Sequence, residues 1–120
     1  MKTNIKIALS ILLCCFILKS NNSFAQVTSE KKTETFKVYG NCDMCKEKIE
    51  GALNSKDGIF KKGWSPKTKI LTVTYDPAKI TASQIKQKIA AAGYDTDEVR
   101  AKDENYNSLP KCCQYERPKK

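Results

Sequence analysis

The stretch Gly40-Asn41-Cys42-Asp43-Met44-Cys45-Lys46 constrains this chain more than any other. Before it, Thr33 to Tyr39 is rich in threonine, valine and aromatic residues and alternates, with Phe36 and Val38 on one face. That pattern predicts a strand, which Gly40 ends. After it, Cys45, Ile49, Ala52 and Leu53 recur at the spacing of one helical face. Both thiols therefore fall where a strand becomes a helix, and the positive end of a helix favours a thiolate. Such a pair can bind a soft metal, carry out thiol–disulfide exchange or close a structural disulfide. The C-x-x-C spacing alone leaves all three open.

The next segments supply the frame. Asn54 to Gly58 is a turn-rich cluster, and Ile59 to Ser65 predicts a second strand, with Gly63 permitting a bulge and Trp64 packing on a half-buried face. Ser65-Pro66-Lys67-Thr68 predicts a turn with proline at its second position. Lys69 to Tyr75 is the clearest strand, with Leu71, Val73 and Tyr75 facing one way and Ile70, Thr72 and Thr74 the other. Thr81 to Ala92 is the clearest helix. Thr81 and Gln84 have capping-box spacing, Ile85 and Ile89 share a face, and Gly93 closes the element. A fourth strand is expected within residues 94–101, around Val99. The order strand, helix, strand, strand, helix, strand is the split β-α-β pattern of an α+β ferredoxin-like domain with an antiparallel sheet. It places the domain at residues 33–101, followed by a cysteine-containing tail at 102–120. Its two loops, Gly40 to Cys45 and Gly93 to Asp95, would then be neighbours.

Composition and the termini bound the setting. Residues 1–25 read as a secretory signal: Lys2 and Lys6 precede an apolar run from Ile7 to Leu18, and Ser23-Phe24-Ala25 is a small-x-small cleavage site. The apolar run falls short of the roughly 20 residues that a spanning helix needs. The expectation is therefore a periplasmic or secreted protein with no stable membrane insertion once the signal is removed, and a flexible leader over residues 26–32. Cys14 and Cys15 lie in the discarded segment, which leaves Cys42, Cys45, Cys112 and Cys113 in a disulfide-permissive compartment. The chain carries a net charge of +9, to which Lys2, Lys6 and Lys19 of the signal contribute. The remaining bases are interspersed with acids, as in Lys46-Glu47-Lys48, and no basic stripe interleaves with aromatics, so nucleic acid is not the expected partner. Lys46 and Lys48 could steer an acidic partner towards the thiols, or simply solvate the helix face.

A thioredoxin-like reading of the dithiol would need a larger strand–helix alternation and a proline loop facing the sulfurs, and Pro66 and Pro77 fall in the wrong places. The chain has no histidine, so an imidazole-bearing zinc centre is not available. Two thiolates suit a soft ion, Cu(I) first, with Hg(II), Zn(II) or Cd(II) if further ligands are added. At this point the residues resemble a family. Cys42-Asp43-Met44-Cys45, with Ile49, the strand Leu71 to Pro77 and Ala91-Ala92-Gly93-Tyr94, is similar to the heavy-metal-associated domains of copper chaperones, metal-transporting ATPases and periplasmic mercury-binding proteins. The resemblance implies that Cys42 and Cys45 are metal ligands and that Tyr94 lies beside the metal loop. It also implies a non-enzymatic role in metal transfer or sequestration, with a metal-transport or metal-accepting protein as partner; an exposed C-x-x-C loop can in addition bridge two molecules through the metal, and the sequence leaves a metal-bridged dimer open. One departure stands out: the family usually carries a buried methionine two residues before the first cysteine, and here that position is Gly40.

Cys112-Cys113 lies outside that likeness and resembles an added segment of some secreted bacterial members. It offers two candidate additional ligands if the tail folds back, or a disulfide partner set for which four cysteines allow three complete pairings. The competing functional classes are a small thiol–disulfide oxidoreductase and a disulfide-stapled interaction module.

Overall fold

The computed structural model describes residues 30–120. The segment read as a secretory signal, and most of the expected leader, lie outside the described residues. Three strands, β1 (Lys32–Lys37), β2 (Ile59–Trp64) and β3 (Ile70–Tyr75), form an antiparallel sheet in the order β1-β3-β2. Three helices accompany them: α1 (Asp43–Gly51), α2 (Ala82–Ala91) and the short α3 (Asp103–Asn107). The alternation read in the sequence sets the register. Leu71 of central strand β3 pairs with Phe36 on one side and Trp64 on the other, and Leu71, Val73 and Tyr75 are all buried. Cys45 and Ile49 from α1, Leu53 just after it, and Ile85 and Ile89 from α2 close over this face to form one core. Among the described residues no helix is long and apolar enough to cross a membrane.

Local chemistry explains the element ends. Thr81 and Gln84 form a complete capping box, Thr81 N donating to Gln84 Oε1 at 3.0 Å and Gln84 N to Thr81 Oγ1 at 3.2 Å. Gly93 follows α2 at φ +104°, a conformation that side chains resist. It also lets the tail approach, since a Cβ there would sit 2.7 Å from the Asn105 carbonyl oxygen.

Three expectations need correction. The irregularity in β2 lies between Ile59 and Lys61, which leaves Phe60 as the unpaired residue and turns it outward, while Gly63 pairs regularly with Thr72. Trp64 is fully buried rather than half-buried. The fourth strand shrinks to one bridge between Val38 and Thr96, flanked by hydrogen bonds from Tyr39 N to the Asp95 carbonyl (2.9 Å) and from Asp97 N to the Lys37 carbonyl (3.1 Å). The cause is Thr96. Its hydroxyl accepts from Val99 N at 2.9 Å and from Glu98 N at 3.3 Å, and its own amide donates to the Val99 carbonyl, so the chain curls away before a ladder can extend.

Candidate metal centre

The thiols sit at the N-terminus of α1. Cys42 is the N-cap, in extended conformation, and Cys45 lies in the first turn. Residues three apart on a helix share a face, and the two Sγ atoms are 3.7 Å apart. Cys42 is half-buried and Cys45 fully buried. Burial opposes ionisation of Cys45, but hydrogen bonding to the backbone of Asn41 and Cys42, and to the thiols of Cys113 and Cys42, outweighs it, so its pKa lies below the ordinary cysteine value. The Asn41 amide is 3.3 Å from the sulfur.

Gly40 owes its identity to space. A Cβ there would lie 3.0 Å from two carbons of the Trp64 indole and 3.2 Å from the Cys45 Cβ. The indole, pinned by a 3.0 Å hydrogen bond from Nε1 to the Val38 carbonyl, occupies the volume into which a side chain at residue 40 would project. The space beside residue 40 is filled by a tryptophan from β2.

Lys46 is not free to steer a partner. Its ammonium bridges Glu50 and the Trp64 carbonyl, the latter at 3.0 Å, and fastens α1 to β2.

The tail reaches the thiols. Leu109, Cys113 and Tyr115 are buried in the common core. A short 3-10 turn, Lys111–Cys113, presents the adjacent sulfurs with Cys112 exposed and Cys113 buried. The sulfurs of Cys42, Cys112 and Cys113 all lie within 4.8 Å of one another. Asn41 Nδ2 donates to the Cys112 carbonyl at 3.4 Å, and Cys112 Sγ is 3.6 Å from the Met44 thioether. All four described cysteines are free thiols. Burial, then the neighbouring Cys45, pushes the Cys113 thiol up to about 12. Of these two thiols Cys45 is therefore the more acidic and Cys113 the less.

Tyr94 is also buried here. Burial and the adjacent sulfurs of Cys113 and Cys45 raise its pKa, and its hydroxyl makes no hydrogen bond of good geometry.

Sequence reasoning missed what fastens the tail. The Tyr115 hydroxyl donates to the Gly93 carbonyl (2.9 Å) and accepts from Asp95 N (2.7 Å), and its ring stacks on Tyr94 at 5.8 Å between centroids. The Arg117 guanidinium forks onto both oxygens of buried Asp95 at 2.8 Å each and also reaches Asp103 and the Ala101 carbonyl. Asp95, Tyr106, Tyr115 and Arg117 have no periodic signature. The only available hint was an arginine and two tyrosines flanking a cysteine pair in an otherwise polar segment.

The heavy-metal-associated domain profile matches residues 35–95, which include Cys42 and Cys45 and stop short of Cys112 and Cys113. The chain is 39% identical over 64 residues to the copper chaperone CopZ of Staphylococcus saprophyticus, covering 52% of this chain and 94% of that protein. It is 36% identical over 84 residues to the mercuric transport protein periplasmic component of Shewanella putrefaciens, covering 69% of this chain and 88% of that protein. A zinc-transporting ATPase of Synechocystis is 39% identical over 75 residues, 62% of this chain, but the match spans only 10% of the ATPase. Among solved structures, a CopZ metallochaperone superposes with a TM-score of 0.52 at 35% identity, covering 54% of this chain and 98% of that one. Oxidised MerP from Ralstonia metallidurans CH34 gives 0.53 at 28% identity, covering 57% and 96%. On its fold and its matched residues, this chain belongs to the heavy-metal-associated domain family.

Proposed function

We propose that this protein is an exported, non-enzymatic carrier of a soft metal ion, with Cu(I) its preferred cargo, bound by Cys42 and Cys45 and passed on or sequestered. The observation that carries the reading is the pair of sulfurs 3.7 Å apart at the start of α1, one of them made more acidic by the Asn41 amide. A thiolate donor set in a chain without histidine favours a soft monovalent ion over harder competitors. Export is supported by the charged, apolar and small-x-small sequence of residues 1–25, and by the likeness to a periplasmic mercuric transport component. The likeness to copper chaperones and to a segment of a metal-transporting ATPase points to a metal-transporting or metal-accepting protein as recipient.

Transfer runs by ligand exchange. An incoming thiol gives up its proton to solvent and adds to the ion as a thiolate. One original sulfur then leaves and regains a proton, so the charge of the site is restored. Titration of the reduced protein with Cu(I) against a chromophoric chelator tests the reading. The parent protein competes with the chelator, and Cys42→Ser/Cys45→Ser does not. A double variant that binds as tightly as the parent overturns the proposal. Native mass spectrometry of the protein purified from the exporting compartment identifies the ion and shows whether residues 1–25 have been removed.

A further inference from the structure

The tail does more than cover the core. It delivers Cys112 and Cys113 to within 4.8 Å of Cys42, sulfur to sulfur. Had Cys113 been only a small apolar filler, nothing would require an exposed cysteine beside it, nor a hydrogen bond from Asn41 of the metal loop to the Cys112 carbonyl. The spacings favour more than two ligands. An ion with metal–sulfur bonds of about 2.3 Å holds its sulfurs about 4.6 Å apart in a linear pair, about 4.0 Å apart in a triangle and about 3.8 Å apart in a tetrahedron. Within the trio Cys112 and Cys113 stand 4.0 Å apart, which matches the triangle and not the linear pair. A second observation points the same way. The Tyr94 hydroxyl, on a residue with no exposed surface, has no hydrogen-bond partner and lies against the sulfurs of Cys113 and Cys45. A neutral thiol is a weak acceptor, whereas a metal-bound thiolate beside it would satisfy the hydroxyl.

We propose that Cys112 and Cys113 are metal ligands: under the C-terminal strap a soft d10 ion such as Cu(I) is held by Cys42, Cys112 and Cys113, with Cys42 the ligand this three-thiolate site shares with the Cys42–Cys45 pair. The proposal rests on the reading of Cys42 as a ligand given above. Each thiol that engages loses one proton to solvent. The Met44 thioether, 3.6 Å from Cys112, flanks the open side. A site of this kind retains its ion. An incoming thiolate meets a three-coordinate centre under a strap, so the protein holds cargo against competing thiols until the strap lifts.

The test uses the reduced protein loaded with Cu(I). X-ray absorption is expected to give three sulfurs per copper in the parent and two in Cys112→Ser, and the variant is expected to lose affinity by about tenfold or more. Because Cys112 is exposed, its replacement leaves the core intact; Cys113→Ala is the second variant, with its fold checked by circular dichroism. Three sulfurs and parental affinity retained in Cys112→Ser, or two sulfurs in the parent, overturn the proposal. The two readings separate cleanly. Cys45 belongs to the two-cysteine carrier and Cys112 to the strap, so loss of affinity in Cys45→Ser with none in Cys112→Ser leaves the carrier standing and removes the three-thiolate site. Loss in Cys112→Ser with none in Cys45→Ser does the reverse.

Discussion

Gly40 shows how a single residue records a change in packing partner. Its backbone does not require glycine, since Gly58 and Gly93 are the glycines with positive φ. What requires it is the indole 3.0 Å from where a Cβ would stand. The indole cannot easily yield, because Nε1 is bonded to the Val38 carbonyl and Trp64 is buried against Cys45 and the sheet. Gly40→Ala is therefore expected to destabilise the reduced protein by about 1–3 kcal/mol, the usual cost of overpacking a filled core. Urea denaturation measures it. In a Trp64→Leu background the same substitution should cost less, because the obstacle is gone, and equal costs in both backgrounds would show that the indole is not the cause. The departure at residue 40 was visible in the sequence. Its compensation was not, since residues 40 and 64 lie on different elements and only the fold brings them together.

Helix α2 and the C-terminal strap mark the two ends of what a sequence reveals about an element. Helix α2 was legible in full because its signals are local: a capping box from Thr81 to Gln84, apolar residues at helical spacing and a glycine after the last turn. The strap has no such signals. Leu109, Cys113 and Tyr115 are buried only because Gly93 and Asp95 offer a surface that matches them, some 20 residues away in sequence. Polar composition over residues 102–120 concealed a segment whose stability comes from buried hydrogen bonds and not from apolar periodicity. Tyr115→Phe tests that account. It removes one hydroxyl and leaves the Asp95 amide and the Gly93 carbonyl without their partner, which should cost about 1–3 kcal/mol. Hydrogen exchange at the Asp95 amide, which is slow while the strap is docked, should accelerate in the variant. An unchanged exchange rate and unchanged stability would mean that the strap is held elsewhere.

At the scale of the whole molecule, a buried charge pair joins the hydrogen bonds and apolar contacts that fasten the strap to the metal-binding domain. The sheet order and the two main helices could be read from alternation and helical spacing. The truncated fourth strand could not, since it depends on one threonine hydroxyl that competes with the ladder. The residue just before that bridge, Asp95, is where Arg117 is received. Burial alone would raise the pKa of Asp95, but the guanidinium and the Ala101 amide, the latter 2.7 Å from Oδ1, together outweigh it and hold the carboxyl below its ordinary value of 3.8. The sign of the linkage follows. A folded-state value below the unfolded one means that the unfolded chain takes up the proton first, so folding is favoured where the carboxylate is charged in both states. The contribution is complete above the ordinary value of 3.8 and drains away as pH falls through it and on through the depressed folded value. Urea midpoints of the metal-free, reduced parent protein should therefore fall with acidification through this window. Asp95→Asn should already be less stable at neutral pH, by about 3 kcal/mol, the low end for removing one partner of a buried pair, since Arg117 can still reach Asp103. In acid the variant should lose less than the parent, because the group that titrates is gone. Parallel acid profiles for parent and variant would place the acid sensitivity in other carboxylates, such as Glu50 beside Lys46, and not in the contact that fastens the strap.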